Sequence, residues 1–101
     1  MHSMEYALTD NTEEKQYEYK LEDGSTARVE YIKTTEKVFL THTEVSPKHE
    51  GKGIASALIK DVLAEVEKSG LALIPLCPYV AMYIKRHPEW KRLVMKNINI
   101  G

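Results

Sequence analysis

A chain of 101 residues organises one hydrophobic core, and its 43% hydrophobic and 29% charged shares belong to globular chains, which excludes a disordered segment. The longest apolar run, Leu71 to Leu76, is far short of a membrane span, and residues 1–10 lack a basic stretch followed by an apolar one, so neither a membrane helix nor a secretory leader is expected. With a net charge of −1 and one cysteine, which excludes an internal disulfide, the chain reads as a single cytosolic domain over 1–101 with its core at about 8–95.

Residues 4–14 form a polar lead-in with room for a short edge strand. From Gln16 to Leu21 the sequence alternates, with Tyr17, Tyr19 and Leu21 on one face, and Asp23-Gly24 then signals a hairpin. Thr26 to Lys33 sets Ala27, Val29 and Tyr31 on one face, and Thr34-Thr35-Glu36 is a second turn. Val38 to Val45 alternates Val38, Leu40, His42 and Glu44 against Phe39, Thr41, Thr43 and Val45. The Tyr17, Tyr19, Tyr31 and Phe39 set reads as core in preference to a stacking platform. Three strands joined by short turns predict an antiparallel meander.

After Ser46-Pro47 the period changes. Ile54, Leu58, Val62 and Val66 recur at helical spacing, Lys60, Asp61, Glu65, Glu67 and Lys68 take the other face or its border, and Gly70 is the stop. Leu71 to Leu76 is nearly all apolar, as in a strand covered on both faces, and Pro75 must break pairing on one side. Cys77-Pro78 opens a second helix running to about Arg86. Pro88 ends it, and Trp90 anchors the tail. The order is β-β-β-α-β-α, a mixed α/β chain whose later half is a right-handed βαβ crossover, with the ends of both parallel strands on one edge.

That edge concentrates the chemistry. Ser46-Pro-Lys-His-Glu-Gly-Lys-Gly-Ile-Ala55 places Gly51 and Gly53 before a helix whose first N–H groups and dipole attract phosphate, with Lys48, His49 and Lys52 alongside. Tight-turn glycines without a ligand fit the same spacing. A Walker loop is excluded by the glycine spacing, and the dinucleotide fingerprint by Ser56. Cys77, at a helix cap where a dipole favours thiolate, pairs in this reading with His42 on the neighbouring strand. A small buried cysteine beside a core histidine fits as well. His87, with Arg86, suits either a helix-end cap or a ligand phosphate. Residues 1–44 carry ten acidic against five basic residues, and 45–101 carry five against nine. That split favours an anionic partner for the second half, although an ordinary mixed surface also accounts for it. Nucleic acid is disfavoured, since no basic run is interleaved with aromatics.

Taken together, His42-Thr-Glu-Val45, Lys48-His-Glu-Gly-Lys-Gly-Ile-Ala55, Leu76-Cys-Pro-Tyr79 and Arg86-His-Pro-Glu-Trp90 resemble the GNAT superfamily of N-acetyltransferases, in its short branch with a cysteine after the last strand. Lys48 stands where that family's signature has Gln or Arg. The resemblance implies acetyl-CoA, with pyrophosphate on backbone N–H groups from about His49 to Ala55 and pantetheine along the strand ending at Val45. It implies cofactor contacts from Val45, Lys48, His49, Glu50, Gly51, Lys52, Gly53, Ile54, Ala55, Pro78, Tyr79, Arg86 and His87. Cys77 is then the expected catalytic thiol, His42 its orienting or deprotonating partner, and Glu44 a further base. The expected reaction moves an acetyl group to an unidentified amine on a small molecule or peptide. The alternative is a non-catalytic acyl-CoA-binding module with a protein partner. No metal, nucleic-acid or membrane partner is expected, and the chain is expected to be a monomer.

Overall fold

The computed structural model describes residues 6–96. Five strands, β1 (Thr9–Asn11), β2 (Gln16–Lys20), β3 (Thr26–Lys33), β4 (Lys37–Glu44) and β5 (Ala72–Pro75), lie in the order β1-β2-β3-β4-β5. The first four pair antiparallel, and β4 with β5 is parallel. Helix α1 (Ile54–Ser69) makes the crossover and α2 (Pro78–Arg86) follows β5. Short 3-10 turns span Pro47–His49 and Pro88–Leu93. The expected edge strand in the lead-in is β1, and the mixed sheet with its helices fits the expected α/β architecture.

Periodicity explains the core. The alternating residues Tyr17, Tyr19, Ala27, Val29, Tyr31, Val38 and Leu40 are buried on the sheet face that meets α1. From α1 come Ile54, Leu58, Ile59, Val62, Leu63 and Val66, all buried. Val80 and Ile84 of α2 join the same cluster, as does Leu73 of β5. Each Val, Leu or Ile among them contributes about 1.5–3 kcal/mol on leaving water. Phe39 departs from expectation. It stands on the opposite face and is half-buried, outside the core that the tyrosines share. Leu76 also departs: β5 stops at Pro75, and Leu76 is exposed. Among the described residues no helix is long and apolar enough to cross a membrane.

One irregularity decides which side chains at the end of β4 face the core. Glu30 pairs with His42, yet Tyr31 pairs with Leu40, so Thr41 is an extra residue on β4. The Thr41 hydroxyl donates to the Glu30 carbonyl at 3.2 Å, stabilising the bulge. Beyond it the alternation inverts. Thr43, opposite Val29, takes the core face and is buried, while His42 and Glu44 pass to the other face beside Glu30 and Arg28.

Candidate functional site

β4 and β5 part after the Leu40–Pro75 pair. The Cys77 N–H closes the gap at its base by donating to the Leu40 carbonyl at 2.9 Å, and beyond it β4 runs on paired only with β3, its other edge open. Pro78 at the first turn of α2 suits a chain leaving the sheet at that point, since its missing N–H has no partner to lose. A cavity of about 600 Å³ opens there, bounded by the end of β4, the loop after it and the start of α1.

Its lining includes His42, Glu44, Val45, His49, Glu50, Gly51, Gly53, Ile54, Ala55 and Tyr79 among the expected residues. Thr43, Pro47 and Ser56 complete it and were not expected. A smaller cavity of about 90 Å³ shares Ala55, Ser56 and Tyr79, and Arg86 and His87 line it together with Met82. Cys77, Lys48, Lys52 and Pro78 line neither cavity. Lys48 instead extends toward Asp23, with Nζ 4.0 Å from the carboxylate.

The loop supplies donors through its backbone. Gly51 and Gly53 sit at φ +82° and +79°, the left-handed region, and a Cβ at either would point into open space. Glycine is therefore required there by backbone conformation and not by crowding. Gly53 caps α1 with no side-chain hydrogen bond, so the N–H groups of Ile54, Ala55 and Ser56 have no side-chain cap, and these residues line the cavity. The expected donor run is shorter than the sequence suggested. The N–H of His49 already donates to the Ser46 carbonyl at 2.8 Å and that of Glu50 to the Pro47 carbonyl at 3.3 Å, which leaves Gly51 through Ser56.

Cys77 and His42 do not meet. Cys77 is buried, 3% exposed, and its Sγ lies 3.3 Å from the hydroxyl of Thr43. His42 is about half exposed and pairs with Glu44, Nε2 to Oε1 at 3.0 Å. The bulge at Thr41 is the reason, since it sends His42 and Thr43 to the faces opposite those that strict alternation assigns them. Glu44 also accepts from Arg28 Nη2 at 3.1 Å. His42 first, and then the Arg28 charge, hold its carboxyl below the usual carboxylate range. An ionised Glu44 can only accept, so Nε2 of His42 is the donor in this pair.

His87 caps α2. Its N–H donates to the Tyr83 and Ile84 carbonyls, and its ring stacks on Tyr83 with centroids 4.1 Å apart and Nδ1 3.0 Å from the Tyr83 carbonyl. Trp90 packs against the core, with the Arg92 guanidinium 5.3 Å from its ring.

A family model for GCN5-related N-acetyl-transferases matches residues 16–93, which include β2 through the turn after α2. A search of curated protein sequences finds no match.

Proposed function

The chain belongs to the GCN5-related N-acetyl-transferase family, and from that premise we propose that it binds acetyl-CoA in the gap between β4 and β5 and transfers the acetyl group to an amine. The observation that carries this reading is the cavity where the open edge of β4, two left-handed glycines and a helix start without a side-chain cap converge. Residues fit the parts of the ligand: N–H groups from Gly51 to Ser56 for pyrophosphate, Val45 and the β4 edge for pantetheine, Arg86 and His87 for the nucleotide end.

In the reaction, the acceptor nitrogen attacks the thioester carbonyl, the carbon–sulfur bond breaks, and CoA leaves as thiolate. His42 Nδ1 takes the proton from the amine while Glu44 steadies the imidazolium that forms. The Thr43 hydroxyl, lining the cavity and touching Cys77, returns a proton to the leaving thiolate. Cys77 acts behind it as the proton reserve. Backbone N–H groups of β4 beyond Leu40 are suited to the oxyanion. The domain is read as one cytosolic unit, with the acidic first half drawing a cationic acceptor.

The test is thiol release from acetyl-CoA across a panel of amines and lysine peptides. Cys77→Ala and His42→Asn should each keep CoA affinity within about twofold, while turnover falls at least ~100-fold. Unchanged turnover in either variant would remove that residue from the reaction. Binding without turnover on any amine would instead identify a passive acyl-CoA-binding module.

A further inference from the structure

The hairpin between β2 and β3 and the anion loop are joined by one carboxylate. Asp23 Oδ1 accepts from the Ser25 N–H at 3.0 Å and from Ser25 Oγ at 2.6 Å, which fixes it to its own turn. Its Oδ2 lies 3.1 Å from Nε2 of His49, across 26 residues of chain. His49 is 9% exposed, while the Asp23 side chain is 35% exposed, so the ring side of the contact is buried and the carboxylate side meets water. Inside the loop the His49 N–H is bonded to the Ser46 carbonyl, so backbone and ring together immobilise the Pro47–His49 turn. Gly51 and Gly53 follow at once, and glycine has more backbone freedom to lose than any other residue. The turn before them is therefore the fixed point from which Gly51 to Ser56 are aimed.

The other charges around the pair come from both elements. Lys48 reaches toward Asp23 at 4.0 Å, and Glu22, which accepts from the Tyr6 hydroxyl at 2.8 Å, feels both His49 and Lys52.

We propose that Asp23 is a positioning residue for the anion loop: by holding the His49 ring it sets the N–H groups of Gly51 to Ser56 in the arrangement that receives a pyrophosphate. The proposal rests on the acetyl-CoA reading and deepens it, because it predicts a sign that simple charge does not. Removing a carboxylate near a polyanion site should tighten binding on charge alone. Removing a clasp should weaken it.

Calorimetric titration with CoA at pH 7 of the wild type, Asp23→Asn, His49→Gln, the double variant and Asp23→Glu separates these. The expected result is about tenfold weaker binding for Asp23→Asn, partial rescue by Asp23→Glu, and a double variant no weaker than the worse single, as for residues acting as a unit. Unchanged or tighter binding by Asp23→Asn, or fold-losses that multiply in the double variant, would overturn the proposal. Amide hydrogen exchange of the unliganded chains provides a reading independent of CoA. Faster exchange confined to residues 46–56 in Asp23→Asn is expected, and unchanged exchange there would overturn the clasp. A wild type that fails to bind CoA would defeat the cofactor reading, and exchange alone would then decide the clasp.

Discussion

Replacing Gly53 by alanine isolates the requirement for left-handed backbone at the start of α1. At φ +79° a Cβ meets nothing within 4 Å, so steric collision does not contribute and only backbone strain remains. That strain is roughly 1–2 kcal/mol, and the stiffer unfolded chain returns about 0.4–1 kcal/mol of it. The expected net loss, about 0.8 kcal/mol at the middle of these ranges and at most about 1.6, lowers Tm by roughly 3–6 °C at that middle value for a domain of this size. The unliganded loop relaxes to escape part of that strain, so part of the loss reappears in binding, because the N–H groups must return to the strained arrangement to hold the ligand. CoA affinity then falls by up to a factor of about 5–30. Gly70→Ala is the control. Gly70 caps the far end of α1 at φ +75° with equally open space, so it should lose stability without losing CoA affinity. Thermal melts and CoA titrations of both variants decide the matter. Equal CoA affinities in Gly53→Ala and Gly70→Ala, together with equal Tm losses, would refute the role given to the loop. An unchanged Tm with unchanged affinity in Gly53→Ala would refute the backbone argument itself.

Three further outcomes are expected. Leu58 is fully buried between α1 and the sheet, so Leu58→Ala should cost about 2–5 kcal/mol in denaturant unfolding; a loss below ~1 kcal/mol would contradict the core described. Asp23 is held well below the usual carboxylate range by the Ser25 hydroxyl and N–H and then by His49, and Glu44 by His42 and Arg28. Depressed carboxylates add stability above their unfolded value near 4 and lose it as pH falls through the folded one, so melts of wild type and the Asp23→Asn/Glu44→Gln double variant should differ at pH 7 and converge in acid. Parallel curves down to about pH 2 would count against both pairings. Thr43→Val keeps the shape of a buried side chain but removes the hydroxyl beside Cys77; stability should change by less than about 1.5 kcal/mol while acetyl transfer slows, and unaltered turnover would take Thr43 out of the proton path.

The architecture was legible because each element carries its own period. Tyr17, Tyr19, Val29 and Tyr31 alternate, Ile54 to Val66 repeat every three to four residues, and both patterns survive in the fold. The glycine loop was legible too, since Gly51 and Gly53 before a helix signal tight turns, and both stand at positive φ. What strict alternation hid was the bulge. One extra residue at Thr41 reverses every side chain after it, which exchanges the positions of His42 and Thr43 and dissolves the expected Cys77–His42 pair. A trace of it exists in the sequence: the apolar series Val38, Leu40 gives way to His42 and Glu44 on what should have been the buried face. Asp23 left no such trace. It reads as an ordinary hairpin residue, and only the tertiary fold brings it to His49.

The central claim is that the parted strands and the glycine loop form an acyl-CoA site. Calorimetric titration of the wild-type chain with acetyl-CoA and with CoA addresses it most directly. The account predicts saturable one-to-one binding of both, each displacing the other, and weakened in Gly53→Ala. No binding of either ligand by a folded chain would contradict it.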